Sequence, residues 1–210
     1  MAPNARVTLS KSQLSREKEN LASYRRYLPA LDLKRQQLMA ERNRARIARA
    51  ELGQSMRRAI EEAGASLPMM AEHRLDLKGL VTLEEVIIDM QNVAGVRLPQ
   101  VRDVRVQVAS YGPMTRPHWV DTLVLRLTQA VRLRAEMQIA ERRMALLDKA
   151  VTRVTQRTNL FEKILIPQAE KNIRRIMVFI GDTERAAVVA AKLSKSKRAR
   201  EKAARPEARA

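Results

Sequence analysis

Two rows of residues, each repeating every seven positions and offset from one another by three, run through residues 130–168. One row is Ala130, Met137, Met144, Val151, Thr158 and Leu165; the other is Leu133, Ala140, Leu147, Val154, Phe161 and Gln168. All but Thr158 and Gln168 are apolar, and charged residues fill the positions between them. A seven-residue apolar repeat sustained over so many turns predicts a left-handed coiled-coil helix, because 3.5 residues per turn keep one narrow seam facing a partner.

That partner is predicted over residues 11–62. The stretch has few β-branched residues and no glycine before Gly53, and Ser10 or Ser12 can cap its start. Leu14, Leu21 and Leu28 lie seven apart, and Tyr24, Leu31, Leu38, Ala45, Leu52 and Ala59 form the companion row. Pro29 removes one backbone donor and is expected to kink the helix. Arg35, Arg42 and Arg49 then take over the row begun by Leu14. Either the seam drifts and they snorkel outward, or they pair with acids on a returning antiparallel helix, where Glu162 and Glu170 are the nearest candidates.

Residues 63–118 read differently. Gly64, Pro68, Gly79, Gly95, Pro99, Gly112, Pro113 and Pro117 break helix here. Val86, Ile87 and Ile88 are strand formers, and Val104, Val106 and Val108 alternate with Arg105 and Gln107. A small β-hairpin, or two short strands, is predicted as a head at the turning end. After the second helix passes Pro167, the apolar stripe resumes one residue out of phase through Ala169, Ile173, Ile176, Ile180, Ala187 and Ala190. A proline joined to a phase slip predicts a local kink or unwinding rather than a helix end.

The predicted fold is therefore mainly α: a long antiparallel two-helix coiled coil with a small β-hairpin head between the helices. The expected divisions are a flexible N-terminus (1–10), a first helix (11–62), a head (63–118), a second helix (119–194) and a basic disordered tail (195–210). The predicted seam comprises Leu14, Leu21, Leu28, Leu31, Leu38, Met137, Met144, Leu147, Val151, Val154, Phe161, Leu165, Ile173 and Ile176.

Composition agrees with helices more than sheets: 30% of residues are charged and only 3% aromatic. With no cysteine, neither a disulfide nor a thiolate metal site can form, and His73 and His118 lack clustered co-ligands. No cofactor is expected. The first ten residues have no apolar signal core, and no run approaches the ~18 apolar residues of a membrane span, so a soluble cytoplasmic protein is expected. The formal charge of +18 implies anionic partners. Adjacent acids Glu61 and Glu62, and Glu84 and Glu85, suit solvated surface better than acid–base chemistry, and no Gly-x-x-x-x-Gly-Lys-Ser/Thr loop is present to bind nucleotide. Nucleic-acid binding by a basic coiled coil, or a generic scaffold, is the competing reading. Against the former, the basic residues are spread over both helices without an aromatic stacking platform.

Several segments also resemble the D subunits of V-type ATPases and ATP synthases. Ser10 and Lys11 with Leu14, Lys18 and Leu21 match that family's opening pattern, and Leu31, Lys34, Arg35 and Leu38 its Lys-Arg block. Asn92-Val93-Ala94-Gly95-Val96-Arg97-Leu98-Pro99 is similar to its Asn-Ile-x-Gly-Val-x-x-Pro segment. Arg157-Thr158-Asn159-Leu160-Phe161-Glu162, with Ile166 and Pro167, resembles its C-terminal signature, and Gly181-Asp182-Thr183-Glu184-Arg185 its acidic Glu-Arg stretch. Tyr24 and Tyr27 stand where the family tends to have small residues, and Gln36 where it has an aspartate. The resemblance implies a non-catalytic central rotor stalk carrying torque between a ring of catalytic and regulatory subunits and the membrane rotor. It also implies a small stalk partner, the F subunit, expected on the exposed side of residues 40–60 and 130–150, and a funnel-shaped subunit leading to the membrane ring. Lys34, Arg35, Arg42, Arg174 and Arg175 are the candidate contacts to the catalytic ring.

Overall fold

The computed structural model describes residues 8–71, 79–111 and 117–203. Of the residues discussed above, His73, Gly112, Pro113 and everything before residue 8 or after residue 203 lie outside the described residues. In chain order the elements are α1 (Lys11–Ser66), a short 3-10 turn (Pro68–Ala71), β1 (Val81–Val93), β2 (Val96–Val108), α2 (Trp119–Leu160), a π-helical turn (Phe161–Leu165) and α3 (Ile166–Ala203). The expected fold class holds: long helices flank one antiparallel two-stranded hairpin.

Ser10 caps α1, its Oγ accepting from the Gln13 amide at 3.2 Å. The helix continues through Pro29, which is exposed. A single proline costs one intrahelical bond, and the helical residues on both sides outweigh it. At the far end the Ser66 hydroxyl donates to the Glu62 carbonyl at 2.7 Å, and Pro68 closes the route to further helix.

The chain divides into two compact units, Asp32–Gln156 on one hand and Met1–Leu31 with Arg157–Ala210 on the other. The borders expected at 62/63 and 118/119 both fall inside the first. In Asp32–Gln156, α1 and α2 run antiparallel. Ion pairs join Arg42 to Asp148 (3.9 Å), Arg49 to Glu141 (3.3 Å) and Glu62 to Arg126 (2.7 Å), so numbering rises on one helix as it falls on the other. Of the arginines that interrupt the first row, Arg42 and Arg49 face acids on the returning helix, Asp148 and Glu141 rather than Glu162 and Glu170, whereas Arg35 pairs with Asp32 on its own helix.

The hairpin pairs Val81 with Val108 at its open end and Val93 with Val96 at its tip. Two irregularities, at Glu84 on β1 and Arg102 on β2, each leave one residue unopposed. The tip is a two-residue turn in which Ala94 and Gly95 both have positive φ, 49° and 79°. Two successive positive φ values match the twist of the strands they join. Pro99 tolerates its place opposite Met90 because a two-stranded sheet consists of edges.

The strands are longer than short cap strands, and they lie along the helices. Val93, Ala94 and Val96 at the tip pack on a core of Leu38, Ala45, Leu98, Leu147, Val151 and Val154. At the other end, Val81 packs on Leu67, Trp119, Val120, Leu123 and Val124. The lengths agree. Thirteen extended residues reach roughly 43 Å, and α1 from Leu38 to Ser66 rises roughly 42 Å.

In the other unit, Ala169, Ile176 and Thr158 are buried. Tyr24 meets Phe161 edge to face at 5.4 Å, Arg25 pairs with Glu170 at 2.7 Å, and the Asn172 amide donates to Glu17 at 3.5 Å. The expected kink or unwinding at Pro167 takes the form of the π-helical turn, in which the Ile166 amide donates to the Phe161 carbonyl. Such a turn holds one more residue than an α turn, which absorbs the one-residue slip. The predicted tail needs correction: α3 stays helical through Ala203. Alanine, lysine, arginine and glutamate dominate its end, and all are strong helix formers.

Candidate functional site

The surface able to act is the helix pair itself and the hairpin lying on it. Every predicted seam residue is buried or half-buried. Leu38, Leu147, Val151, Val154 and Ile176 are buried; Leu14, Leu21, Leu28, Leu31, Met137, Met144, Phe161, Leu165 and Ile173 are half-buried. Leu38 and Leu147 are 0% exposed, and the structure places them in one cluster with Leu98 from the hairpin. Local heptads explain the first two residues, but Leu98 joins them only because the hairpin folds back. The seam between the helices is therefore covered by a third layer at this level.

The candidate ring contacts separate into two groups. Lys34, Arg35 and Arg42 are half-buried and engaged within the fold. Lys34 Nζ lies beside Gly95 at the hairpin tip, Arg35 pairs with Asp32 at 3.1 Å, and Arg42 faces Asp148. Arg174 and Arg175 are exposed on α3. Farther along α3, every residue from Asp182 to Arg200 is exposed, including Val188, Val189 and Leu193.

Sequence reasoning missed Arg143. Its guanidinium donates to Glu41 of α1, to Gln91 of β1 and to the carbonyl of Pro99 in β2. It sits between seam positions, where any charged residue looks like solvated surface, so no periodicity marks it. Beside it lies an open groove of about 640 Å³ lined by Glu41, Arg44, Val101, Asp103, Arg132 and Glu136, among others.

Among the described residues no group of three or more His, Asp or Glu side chains is placed to hold a metal ion. No described helix is long and apolar enough to cross a membrane. What Asp32–Gln156 presents is an antiparallel helix pair reinforced by a hairpin, with apolar side chains such as Ile47 and Leu125 exposed among its polar surface, the architecture of a mainly α, coiled-coil protein.

Comparison with known proteins makes the class specific. A family model described as the D subunit of ATP synthase matches residues 13–196. The chain is 29% identical over 196 residues to the V-type ATP synthase D subunit of Borreliella burgdorferi, covering 91% of this chain and 95% of that protein. It is 31% identical to the corresponding proteins of Chlamydia pneumoniae and Chlamydia abortus, covering 92% of this chain and 94% of each. The chain belongs to the family of ATP synthase D subunits: it is a non-catalytic stalk component of a rotary ATPase and works with the other subunits of that complex. The comparisons give no support to the nucleic-acid or scaffold reading.

Proposed function

We propose that the chain is the shaft that carries torque between a nucleotide-hydrolysing hexamer of catalytic and regulatory subunits and the membrane rotor, on the cytoplasmic side of the membrane. The observation that carries this reading is the helix pair of Asp32–Gln156, with its seam residues buried or half-buried and the hairpin packed on it at tip and base. A shaft must resist twisting. Seam side chains locked between helices resist sliding, and a third layer packed on both helices resists their rolling against each other.

A shaft must also release each ring position as it turns. The exposed Arg174 and Arg175 suit brief contacts with acidic loops of the ring, since an exposed ion pair is worth only about 0–1 kcal/mol and breaks readily. The all-exposed end of α3, with Val188, Val189 and Leu193 uncovered, suits insertion into the centre of such a ring. The small F subunit is assigned to the exposed sides of α1 around 40–60 and α2 around 130–150, and the funnel-shaped subunit to the end near Leu67 and Trp119. Co-purification of the chain with the hexamer, followed by single-molecule rotation, tests the proposal. Nucleotide-driven rotation of a probe fixed to this chain is expected, and a hexamer that assembles without retaining the chain overturns it.

A further inference from the structure

The hairpin is packed apolarly at its tip and at its base, with the open groove of about 640 Å³ between. One side chain spans the gap. Arg143 projects from α2 with its side chain only 16% exposed, and its partner Glu41 on α1 is 14% exposed. Its Nη2 donates to Glu41 Oε1 at 2.5 Å and to Gln91 Oε1 at 2.8 Å, while Nη1 donates to the Pro99 carbonyl at 3.3 Å. One guanidinium thus joins α1, β1 and β2 to α2. A planar fork with fixed donors can serve three acceptors in three directions; a single ammonium on a flexible stem cannot hold that geometry.

Each body joined by Arg143 is otherwise complete. The two strands pair with one another from Val81–Val108 to Val93–Val96, interrupted only at Glu84 and Arg102. The helices keep their own cross-links, Arg42–Asp148, Arg49–Glu141 and Glu62–Arg126, none of which involves the hairpin. We propose that the hairpin is a strap and Arg143 its latch: release of the latch lets the tip swing off the helix pair while strands and helices both persist. The open state uncovers Leu38, Leu147 and Val151, the apolar residues that the tip now covers. Arg143 acts here as a positioning residue.

The test is peptide-resolved amide hydrogen exchange on the full chain, comparing wild type with Arg143→Met and Arg143→Lys. Arg143→Met is expected to speed exchange at residues 88–101 at least tenfold, to leave α1 and α2 within twofold, and to raise binding of an apolar dye. Arg143→Lys is expected to fall between the two, because charge toward Glu41 remains while the fork is lost. Unchanged hairpin exchange overturns the proposal, and so does equal acceleration of hairpin and helices, which would mark plain destabilisation. Should Glu41, left with Arg44 alone as its ion-pair partner at 3.7 Å, prevent Arg143→Met from folding, Arg143→Met with Glu41→Gln removes both charges, and the same criteria apply to it.

Discussion

Lys34 Nζ lies 3.3 Å from the point where a Cβ on Gly95 would fall, so the α1 lysine sits against the hairpin tip. The tip needs glycine for its backbone more than for this space, because the end of a lysine can move and a φ of 79° cannot be relieved. Gly95→Ala is expected to cost about 1–2 kcal/mol, chiefly as backbone strain. Ala94→Asn, which places Asn-Gly in a turn of two positive φ values, is expected to gain about 0.5 kcal/mol. Denaturant midpoints of the two variants should move in opposite directions.

Leu38 and Leu147 are wholly buried at the level where three layers meet. Leu38→Ala and Leu147→Ala should each cost about 3–5 kcal/mol, because neither helix can collapse into the gap while the hairpin tip braces it. Leu14 is half-buried, and Leu14→Ala should cost less than half as much. Equal losses at Leu14 and Leu38 in thermal unfolding would show that the third layer adds no rigidity.

Thr158 occupies an apolar seam row yet is 1% exposed, and its hydroxyl has no hydrogen-bond partner among the described residues. A buried donor without a partner costs roughly 1–3 kcal/mol. Thr158→Val keeps the shape and deletes the orphan group, so it is expected to raise the melting temperature by a few degrees. A lowered melting temperature would mean that the hydroxyl is satisfied in solution.

Ala169 is 4% exposed and Gln168 is exposed, the reverse of what an unbroken heptad count assigns. Ala169→Glu should cost at least about 3 kcal/mol by burying an unpaired carboxylate, whereas Gln168→Glu should stay within about 0.5 kcal/mol. Helical circular dichroism followed through denaturation reads both. Interchange of the two effects would remove the π-helical turn from the structure.

Arg174 and Arg175 are exposed on α3, unlike Lys34, Arg35 and Arg42. Arg174→Gln with Arg175→Gln is expected to leave folding unchanged and to lower torque in the assembled complex, with the loss shrinking as salt rises. Measured torque that ignores both the substitution and the salt would remove these arginines from the ring contact.

Much of this protein could be read from spacing alone. The heptad rows contain Leu38, Leu147, Val151 and Val154, which the structure buries, but not Ala135, Val120 or Leu123, which it buries too. The strand-like alternation around Val104 marked the hairpin, and Pro167 with its phase slip marked a local irregularity, which only the structure shows to be a π-helical turn. These are local regularities, since a side chain's direction repeats with the backbone that carries it. Partner choice across elements is different. That Arg42 meets Asp148, that Leu98 seals the seam at Leu38, and that Arg143 reaches Glu41, Gln91 and Pro99 depend on helix register and on the hairpin folding back along the pair. Periodicity is blind to both. A charged residue between seam positions looks the same in sequence whether it faces water or another strand, and only the assembled layers decide which.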